Sequence, residues 1–192
     1  MPHRITLIPG DGIGPEVAAA TKRVLAATRV NIEWDERCAG LNGVERVGDA
    51  LPAETIEAIR TNRVALKGPT TTPVGAGHVS ANVRLRRELD LYASVRPSVT
   101  LCGIPSRYDG VDLVVFRENT EGLYAGIEHE VSKGCICSIK VVTEKATDRI
   151  ARAAFEYAVK NGRKKVTAVH KANIMKLGDG FFLERVGVIA QD

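Results

Sequence analysis

The sequence has few cysteines, few aromatic residues and no long apolar run. Only four of the 192 residues are cysteines, which argues against a secreted domain built on disulfides. Aromatic residues make up 5%, and no basic stretch with interleaved aromatics marks a nucleic-acid surface. The sequence shows no signal peptide, transit peptide or transmembrane run. We therefore expect a cytoplasmic protein without membrane or nucleic-acid partners.

What is present is the balance of a soluble globular protein. Hydrophobic residues make up 44% and charged residues 26%, and 192 residues are enough to bury a real core. The formal net charge of +4 is a modest excess. Such an excess favours small anionic ligands through the overall field of the protein.

Two of the cysteines, Cys135 and Cys137, are separated by a single residue. On a strand this spacing directs both side chains to one face, and Ile139 and Val141 continue that face. The pattern therefore predicts two small buried apolar residues. A metal-binding pair and a redox pair are the alternatives.

Apolar strands alternate with helical stretches in the first third of the sequence. Residues 5–8 are typical of a buried strand, and a helix with Pro15 in its first turn follows. Further strands are predicted at residues 31–37 and 64–66, on either side of a helix at residues 52–60. This alternation predicts an α/β fold with a mostly parallel sheet.

The rest of the sequence adds a hairpin and a long helix. Two alternating runs around the turn Ser132-Lys133-Gly134 predict an antiparallel hairpin over residues 126–142. The strongest helix is predicted at residues 144–160, with Gly162 placed to end it. The remaining elements are a charged helical segment at residues 80–89, strands at 111–116 and 166–169, and a final helical start.

The run from Gly10 to Glu16 superficially resembles a dinucleotide-binding fingerprint. Its third glycine comes one residue too early for the pattern Gly-x-Gly-x-x-Gly. A tight turn into a helix and a phosphate cradle are therefore equally compatible with this run.

Polar residues gather where a predicted loop enters a helix, at Ser80, Asn82 and Arg86. Arg96 and Arg117 lie at the ends of predicted strands, where binding groups commonly collect in α/β sheets. Several arginines in one cleft fit a polycarboxylate, because each guanidinium can donate two parallel hydrogen bonds. The alternative is ordinary solvated charge.

Two further residues could move protons. Tyr124 lies shortly after the Arg-Glu-Asn run, and Lys171 comes directly after a predicted strand. Both are candidate proton carriers if they face a cleft. The alternative is a surface lysine and a half-buried tyrosine.

Five segments occur in an order that resembles one known family. They make the chain similar to the isocitrate/isopropylmalate dehydrogenases from residue 5 to about residue 184, and most of all to the NAD-dependent isocitrate dehydrogenases. The segments are Pro9-Gly-Asp-Gly-Ile-Gly-Pro-Glu16, Lys67-Gly-Pro69 with Thr71-Thr-Pro73, Ser80-x-Asn-x-x-Leu-Arg86, Arg117-Glu-Asn119 and Val169-His-Lys-Ala-Asn-Ile-Met-Lys176.

The resemblance implies a parallel or mixed sheet with flanking helices and a small antiparallel hairpin that acts as an intersubunit clasp. It also implies domain boundaries. Residues 1–96 would form the first part of a large α/β domain, and residues 97–184 a small domain with the clasp-like hairpin at 125–142. Residues 185–192 would be an atypical tail, because the expected amphipathic helix is lost after about Glu184.

The resemblance further implies a role for each candidate residue. Tyr124 would protonate the enol carbon after carbon dioxide leaves. Lys171 would act at the substrate hydroxyl and reach across a dimer interface into the partner's site. The substrate would be bound by Ser80, Asn82, Arg86, Arg96, Arg117 and Asn173, and NAD would be bordered by Lys67, Thr72 and Ile13.

Substrate, metal and partners follow from the same resemblance. Ser80 and Asn82 favour isocitrate over isopropylmalate, whose enzymes have a more apolar segment there, and homoisocitrate is a closer alternative. Family chains are considerably longer, so the ligands of Mg²⁺ or Mn²⁺ are expected outside these residues, and Asp192 is not expected to be one. A homodimer or a hetero-oligomer is implied, and a non-catalytic partner subunit is the alternative.

Overall fold

The computed structural model describes residues 2–71 and 80–192. The chain divides into two compact units, residues 1–90 and residues 91–192. The predicted fold class is confirmed, with a parallel sheet in the first unit and antiparallel strands in the second. The domain boundaries at residues 96 and 184 stay predictions. Among the helices of the described residues, none is long and apolar enough to cross a membrane.

The first unit is built on a parallel sheet with β1 in its centre. Strands β1 (His3–Ile8), β2 (Ile32–Glu36) and β3 (Ala65–Lys67) lie in the order β2-β1-β3. Because the strands are parallel, the loops that follow them lie side by side at one edge of the sheet. The helices of this unit are α1 (Gly14–Ala27), α2 (Leu41–Val47), α3 (Ala53–Asn62) and α4 (Ala81–Glu88).

The core of the first unit fixes the orientation of α4. Ile8 and Leu51 have no exposed surface, and they belong to one cluster with Ala81 and Leu85 of α4. Fully burying a side chain of the size of leucine contributes about 1.5–3 kcal/mol. Ala81 and Leu85 are four residues apart and therefore mark the buried face of α4. The candidate residues of this helix lie beside that face.

The second unit contains two antiparallel strand pairs and two helices in its described residues. Strands β4 (Ala93–Val99) and β5 (Asp112–Glu118) pair with each other, and the predicted hairpin is formed by β6 (Gly122–Ser132) and β7 (Cys135–Val141). The helices are α5 (Glu144–Lys160) and α6 (Gly178–Ile189). Helix α5 has the predicted bounds.

Helix α5 begins at a side-chain cap and buries one face. The hydroxyl of Thr143 accepts a hydrogen bond from the Ala146 amide at 3.2 Å, which satisfies one of the first amides of the helix. Ile150 is buried on the same helix, and the ring of Tyr157 lies 5.2 Å from that of Phe116 on β5. Helix α5 therefore packs against β5, a strand of the pair that carries the candidate arginines Arg96 and Arg117.

Two predictions about the last third of the chain are wrong. No strand forms at residues 166–169, which are extended without a ladder partner among the described residues. A strand needs a neighbour for its backbone hydrogen bonds, and periodicity does not supply one. The helix also continues past Glu184, since α6 runs to Ile189 and the Ala190 amide still donates to the Val186 carbonyl at 3.0 Å.

The prediction of buried cysteines is also wrong. Cys135 and Cys137 are both exposed, as is every residue of β7 except Val141. Alternation along a strand predicts a buried face only where a second layer covers it. In the described residues the hairpin is a two-stranded sheet whose faces are exposed.

Candidate functional site

Asp11 joins the three loops that follow the parallel strands of the first unit. It lies after β1, and its carboxylate accepts hydrogen bonds from the Leu41 amide at 2.9 Å and from the Thr71 amide at 2.7 Å. Leu41 follows β2 and Thr71 follows β3. The carboxylate is only 7% exposed. Burial alone would raise the pKa of Asp11, but hydrogen bonds from Thr71 and Leu41 and the charge of Lys67 together hold it below its usual value.

Lys67 ends β3 and turns its ammonium back onto its own loop. The Nζ donates to the Gly68 carbonyl at 2.6 Å and to the Thr70 hydroxyl at 3.3 Å. Burial lowers the pKa of Lys67, Asp11 opposes that shift and Arg86 adds to it, with a net value below the usual one. Lys67 and Arg86 therefore lie in one positive field at this edge of the sheet.

The Gly10 to Glu16 run is a tight turn in which the backbone amides of Asp11 and Gly14 already donate hydrogen bonds. A side chain at Gly10 would place its Cβ 1.8 Å from the Pro69 carbonyl oxygen, and the backbone φ there is +83°. The Asp11 amide donates to that carbonyl at 3.0 Å, and the Gly14 amide donates to the Asp11 carbonyl at 2.8 Å. Of the two readings of this run, the turn is therefore favoured over the phosphate cradle. Ile13 is 67% exposed beside it.

Helix α4 carries the substrate candidates of the first unit. Ser80 is the N-cap residue, and Asn82 and Arg86 are half-buried along the helix. The Asn82 amide oxygen lies 3.5 Å from the Thr70 hydroxyl, which links the helix to the loop after β3. Thr72 was predicted to lie beside the cofactor, and it falls outside the described residues.

Arg96 and Arg117 share one face of the β4–β5 pair in the second unit. Ser94 lies opposite Arg117, and the Arg96 Nε donates to the Ser94 hydroxyl at 3.2 Å. The prediction that both arginines end strands is wrong in detail, since Arg96 lies in the middle of β4 and Arg117 one residue before the end of β5. The antiparallel register, which periodicity does not reveal, brings them together.

Arg117 also brings Tyr124 into this group. Its guanidinium lies 5.6 Å from the centroid of the Tyr124 ring, and its Nε donates to the Asn119 side-chain oxygen at 3.2 Å. Asn119 is only 6% exposed, and its amide donates to the Tyr92 carbonyl at 2.9 Å. The arginine is thus held by a buried amide beneath it, with the tyrosine beside it.

The arginines of the second unit fall into two groups. Arg149, Arg152, Arg163 and Arg185 each form an ion pair with an acidic side chain. Within residues 2–71 and 80–192, Arg96, Arg107 and Arg117 form none, and the Arg107 guanidinium lies 5.5 Å from the centroid of the Tyr108 ring. Arg96 and Arg117 differ from Arg107 in sharing one sheet face, and two guanidinium groups on one face are suited to binding an anion.

Lys171 does not join this group in the described structure. Lys171 and Asn173 are exposed. Lys171 is held through its backbone, since its amide donates to Asp179 at 2.6 Å and its carbonyl accepts from the Ile174 and Met175 amides at 3.0 and 2.9 Å. Asp179 is buried at the start of α6 and also bonds the ammonium of Lys140. That ammonium, and then the Lys171 amide, hold the pKa of Asp179 below its usual value despite its burial.

No metal centre assembles within the part of the chain that the structure describes. No three His, Cys, Asp or Glu side chains come together there in a way that could hold an ion. The described residues therefore do not provide a site for the Mg²⁺ or Mn²⁺ that the resemblance implies.

Sequence reasoning missed four residues that fix candidate residues within each unit. Asp11, Thr70, Asn119 and Asp179 each bind a loop or side chain that carries a candidate residue. Thr70 is half-buried and the other three are buried. Asp11 had a visible signal, because an acidic residue between two turn glycines must find donors if it is buried.

The comparison with protein families decides the assignment. The model of the family "Isocitrate/isopropylmalate dehydrogenase" matches residues 4–192. The chain belongs to the isocitrate/isopropylmalate dehydrogenase family. Its members include oxidoreductases that depend on NAD, as the names of the relatives state.

Individual relatives of this dehydrogenase family agree with the match. Catalytic subunit 6 of the mitochondrial NAD isocitrate dehydrogenase of Arabidopsis thaliana is 51% identical over 95% of this chain and 49% of its own length. Regulatory subunit 1 of the same enzyme in the same plant is 52% identical over 99% of this chain and 50% of its own length. The chloroplastic 3-isopropylmalate dehydrogenase of Solanum tuberosum is 48% identical over 98% of this chain and 53% of its own length. The chain spans about half the length of these curated relatives.

A solved structure gives the same result for the fold. The isocitrate dehydrogenase of Methylococcus capsulatus superposes with a TM-score of 0.94 at 52% identity, over 98% of this chain and 57% of that one.

The relatives contradict the expectation of a cytoplasmic protein. The isocitrate dehydrogenase subunits among them are mitochondrial, and the isopropylmalate dehydrogenase is chloroplastic. The expectation rested on finding no targeting segment in these residues, which says nothing about where the rest of the family works.

Proposed function

We propose that this chain provides the substrate-binding half of an NAD-dependent isocitrate dehydrogenase, which oxidises and decarboxylates isocitrate to 2-oxoglutarate. The observation that carries the proposal is the pair of arginines on the β4–β5 face. Arg96 and Arg117 lack an acidic partner among the described residues, and Tyr124 lies beside Arg117. A surface that keeps two guanidinium groups together without a carboxylate suits a ligand that brings carboxylates of its own.

The residues of the chain would divide the work between binding and proton transfer. Arg96, Arg117 and Arg86 would bind the carboxylates of the substrate, with Asn173 assisting. Tyr124, next to Arg117, would return a proton to the carbon that carbon dioxide leaves. Lys171 would take the proton of the substrate hydroxyl, acting from the neighbouring subunit. Its exposure in this chain is consistent with a group that works across an interface.

The cofactor would lie at the edge of the parallel sheet. Ile13 offers an exposed apolar surface there and Lys67 a cation, groups that suit a flat ring and an anionic linker. The family resemblance adds Thr72 as a further residue that would border the cofactor. When bound, NAD supplies the acceptor for the hydride from the substrate carbon. The part of the chain that the structure describes offers no three-residue set for a divalent metal, so its residues are assigned no step through one.

The polar start of α4 supports isocitrate as the substrate. Ser80 is the N-cap residue of the helix, without a side-chain cap hydrogen bond, and Asn82 lies within the first turn. These polar groups would face the substrate where an alkyl group would need an apolar surface. Isopropylmalate carries such an alkyl group, and the isopropylmalate dehydrogenase among the relatives keeps it as the second candidate. Homoisocitrate would satisfy the same polar groups as isocitrate.

The assembly that we propose contains more than one subunit. Relatives of about equal identity are named catalytic and regulatory subunits, which supports a hetero-oligomer, and a homodimer is the simpler alternative. A non-catalytic partner subunit is a further candidate. Arg86, Arg96, Arg117, Tyr124 and Lys171 are all present in this sequence, and this favours descent from an active enzyme.

The test is NADH formation by the purified chain with threo-isocitrate and Mn²⁺, with NADP⁺ and isopropylmalate in parallel. Turnover with isocitrate that disappears in Lys171→Ala supports the proposal. Turnover only with isopropylmalate would replace the substrate assignment. A folded chain without turnover would favour the non-catalytic partner.

Isocitrate binding by calorimetry gives a second readout that does not need turnover. Arg117→Gln should weaken binding about 10- to 100-fold, the value of a hydrogen-bonded charge pair. The matched control is Arg163→Gln, whose guanidinium already pairs with Asp112 at 2.8 Å and should leave isocitrate affinity unchanged. Equal losses in both variants would contradict a specific role for Arg117.

A further inference from the structure

A directed chain of hydrogen bonds runs from Lys67 through Thr70 to Asn82. The Lys67 ammonium has only donors, so the Thr70 hydroxyl must accept from it at 3.3 Å. The Asn82 side-chain oxygen lies 3.5 Å from this hydroxyl and accepts its hydrogen. Thr70 thus accepts from Lys67 and donates to Asn82, which leaves the Asn82 amide nitrogen on the side away from the hydroxyl.

The central hydroxyl of this chain is itself held from two sides. A Cβ at Gly40 would lie 3.0 Å from the Cβ of Thr70, so the loop after β2 packs directly on this side chain. The next residue, Thr71, is bound through its amide to the buried carboxylate of Asp11. Thr70 thus lies between the loop after β2 and the residue that Asp11 binds, and these contacts place its side chain beside Asn82.

We propose that Thr70, held by Lys67 and by the Asp11-bound loop, is a specificity-determining residue that turns the nitrogen of the Asn82 amide toward the substrate. Among the described residues, the Asn82 nitrogen has no hydrogen-bond partner. An amide nitrogen donates only, and a carboxylate accepts only. The inference rests on the proposed function, in which Asn82 contacts the substrate.

Such an orientation selects between the two substrate classes of the family. Isocitrate presents an additional carboxylate that can accept from the Asn82 nitrogen. Isopropylmalate presents an alkyl group at the corresponding position, which accepts nothing and would leave the donor without a partner. If the amide were free to turn, its oxygen could face the carboxylate and repel it. Thr70 therefore acts on the choice of substrate through Asn82.

The decisive experiment compares the two acids on Thr70 variants. Thr70→Val keeps the shape of the side chain and removes its hydroxyl, whereas Thr70→Ser keeps the hydroxyl. We expect Thr70→Val to weaken isocitrate binding about 5- to 10-fold, the value of one hydrogen bond, and to change isopropylmalate binding less than about twofold. Thr70→Ser should restore isocitrate binding. Equal losses for both acids would overturn the inference, because a purely structural defect does not distinguish them.

A second variant covers the case in which Thr70→Val does not fold. Asn82→Asp keeps an oxygen toward Thr70 and replaces the donor nitrogen by a second oxygen. This variant should weaken isocitrate binding more than Thr70→Val does, since the carboxylate of the new aspartate then faces a carboxylate of the substrate. Isocitrate binding unchanged in Asn82→Asp would overturn the inference.

A ligand-independent measurement separates this inference from the proposed function. The side-chain amide of Asn82, followed by ¹⁵N relaxation without substrate, should be rigid in the wild-type chain and in Thr70→Ser, and mobile in Thr70→Val. A mobile amide in a wild-type chain that binds isocitrate would overturn the inference and leave the proposed function standing. A rigid amide in a chain that binds neither acid would overturn the proposed function and the substrate part of the inference with it.

Discussion

The strands of the two units differ in how deeply their apolar side chains are buried. In the first unit, Leu7 and Ile8 of β1 are at most 1% exposed, because helices of the same unit cover the sheet. In the second unit, Val95 of β4 and Leu113 and Val115 of β5 are all exposed. The related proteins are about twice as long as this chain. The first unit therefore covers its sheet with its own helices, whereas the described residues leave these apolar side chains of the second unit uncovered.

The same contrast holds for the candidate site. Lys67 and Asn82 lie in a network that the first unit completes by itself, centred on Asp11. Arg96 and Arg117 lie on an open sheet face. The loop network around Asp11 in the first unit is thus already formed by these residues, whereas the arginines of the second unit lie on a sheet face that the described residues leave open.

The largest expected effect comes from truncating one leucine in each unit. Leu7→Ala on β1 should lower the free energy of unfolding by about 2–5 kcal/mol, because it leaves a cavity in a filled core. Leu113→Ala on β5 should cost less than about 1 kcal/mol, since that side chain is 48% exposed. Urea unfolding followed by circular dichroism measures both. Equal costs would mean that the strand face of the second unit is covered after all.

A pair of glycines tests how tightly each unit packs its turns. Gly40 and Gly134 both have positive φ values, 72° and 79°, so alanine should cost about 1–2 kcal/mol at each for the backbone alone. At Gly40 the new Cβ would also lie 2.4 Å from the Asp11 carboxylate, and at Gly134 it meets nothing within 4 Å. We expect Gly40→Ala to cost about 3 kcal/mol in total. A cost at Gly40 no larger than that at Gly134 would contradict the close packing of the first-unit loops.

Buried carboxylates in the two units allow a comparison by pH. The pKa values of Asp11 and Asp179 are both lowered in the folded chain. Each carboxylate therefore contributes stability that is fully present above its unfolded pKa, about 3.9, and is lost as pH falls through the lower folded value. Asp11→Asn and Asp179→Asn should each cost about 1–3 kcal/mol at pH 7, with the difference from wild type shrinking below about pH 4.

The two substitutions should destabilise the chain by similar amounts. The new amide nitrogen would face a donor at both sites, which is the Leu41 or Thr71 amide at Asp11 and the Lys140 ammonium or Lys171 amide at Asp179. Chemical unfolding across a pH series measures both variants. A difference from wild type that stays constant from pH 7 to below pH 4 would show that the carboxylate charge is not what stabilises the fold.

Elements that depend on local pattern were predictable from the sequence. The parallel strands, the hairpin over residues 126–142 and helix α5 follow from periodicity and turn residues. The strand expected at residues 166–169 and the buried faces of Cys135 and Cys137 depended on neighbours outside the pattern, and both predictions failed. Periodicity reports which face could be buried, and only tertiary contacts decide whether it is.

The candidate site shows the same limit. The ordered motifs identified the family, and that is how Arg117 and Lys67 became candidates. The contacts of Asp11 with Leu41, 30 residues on, and with Thr71, 60 residues on, could not be read from spacing. They arise because parallel strands bring three distant loops to one edge. The register that places Arg96 on the face of Arg117 is likewise a property of the strand pairing.

The smallest expected effect concerns one arginine in each unit, both about one-third exposed. The Arg84 guanidinium contacts Asp49, the Leu51 carbonyl at 3.2 Å and Glu88 at 3.3 Å, whereas the Arg163 guanidinium contacts Asp112 alone among the described residues. Arg84→Gln should cost about 1 kcal/mol and Arg163→Gln about 0.5 kcal/mol or less, because a single surface pair is screened by solvent. Urea unfolding at low and high salt measures both, and salt should reduce the two costs. Equal losses of unfolding free energy in the two variants would show that surface ion pairs stabilise the second unit as much as the first. The contrast between the units would then be confined to their apolar strands.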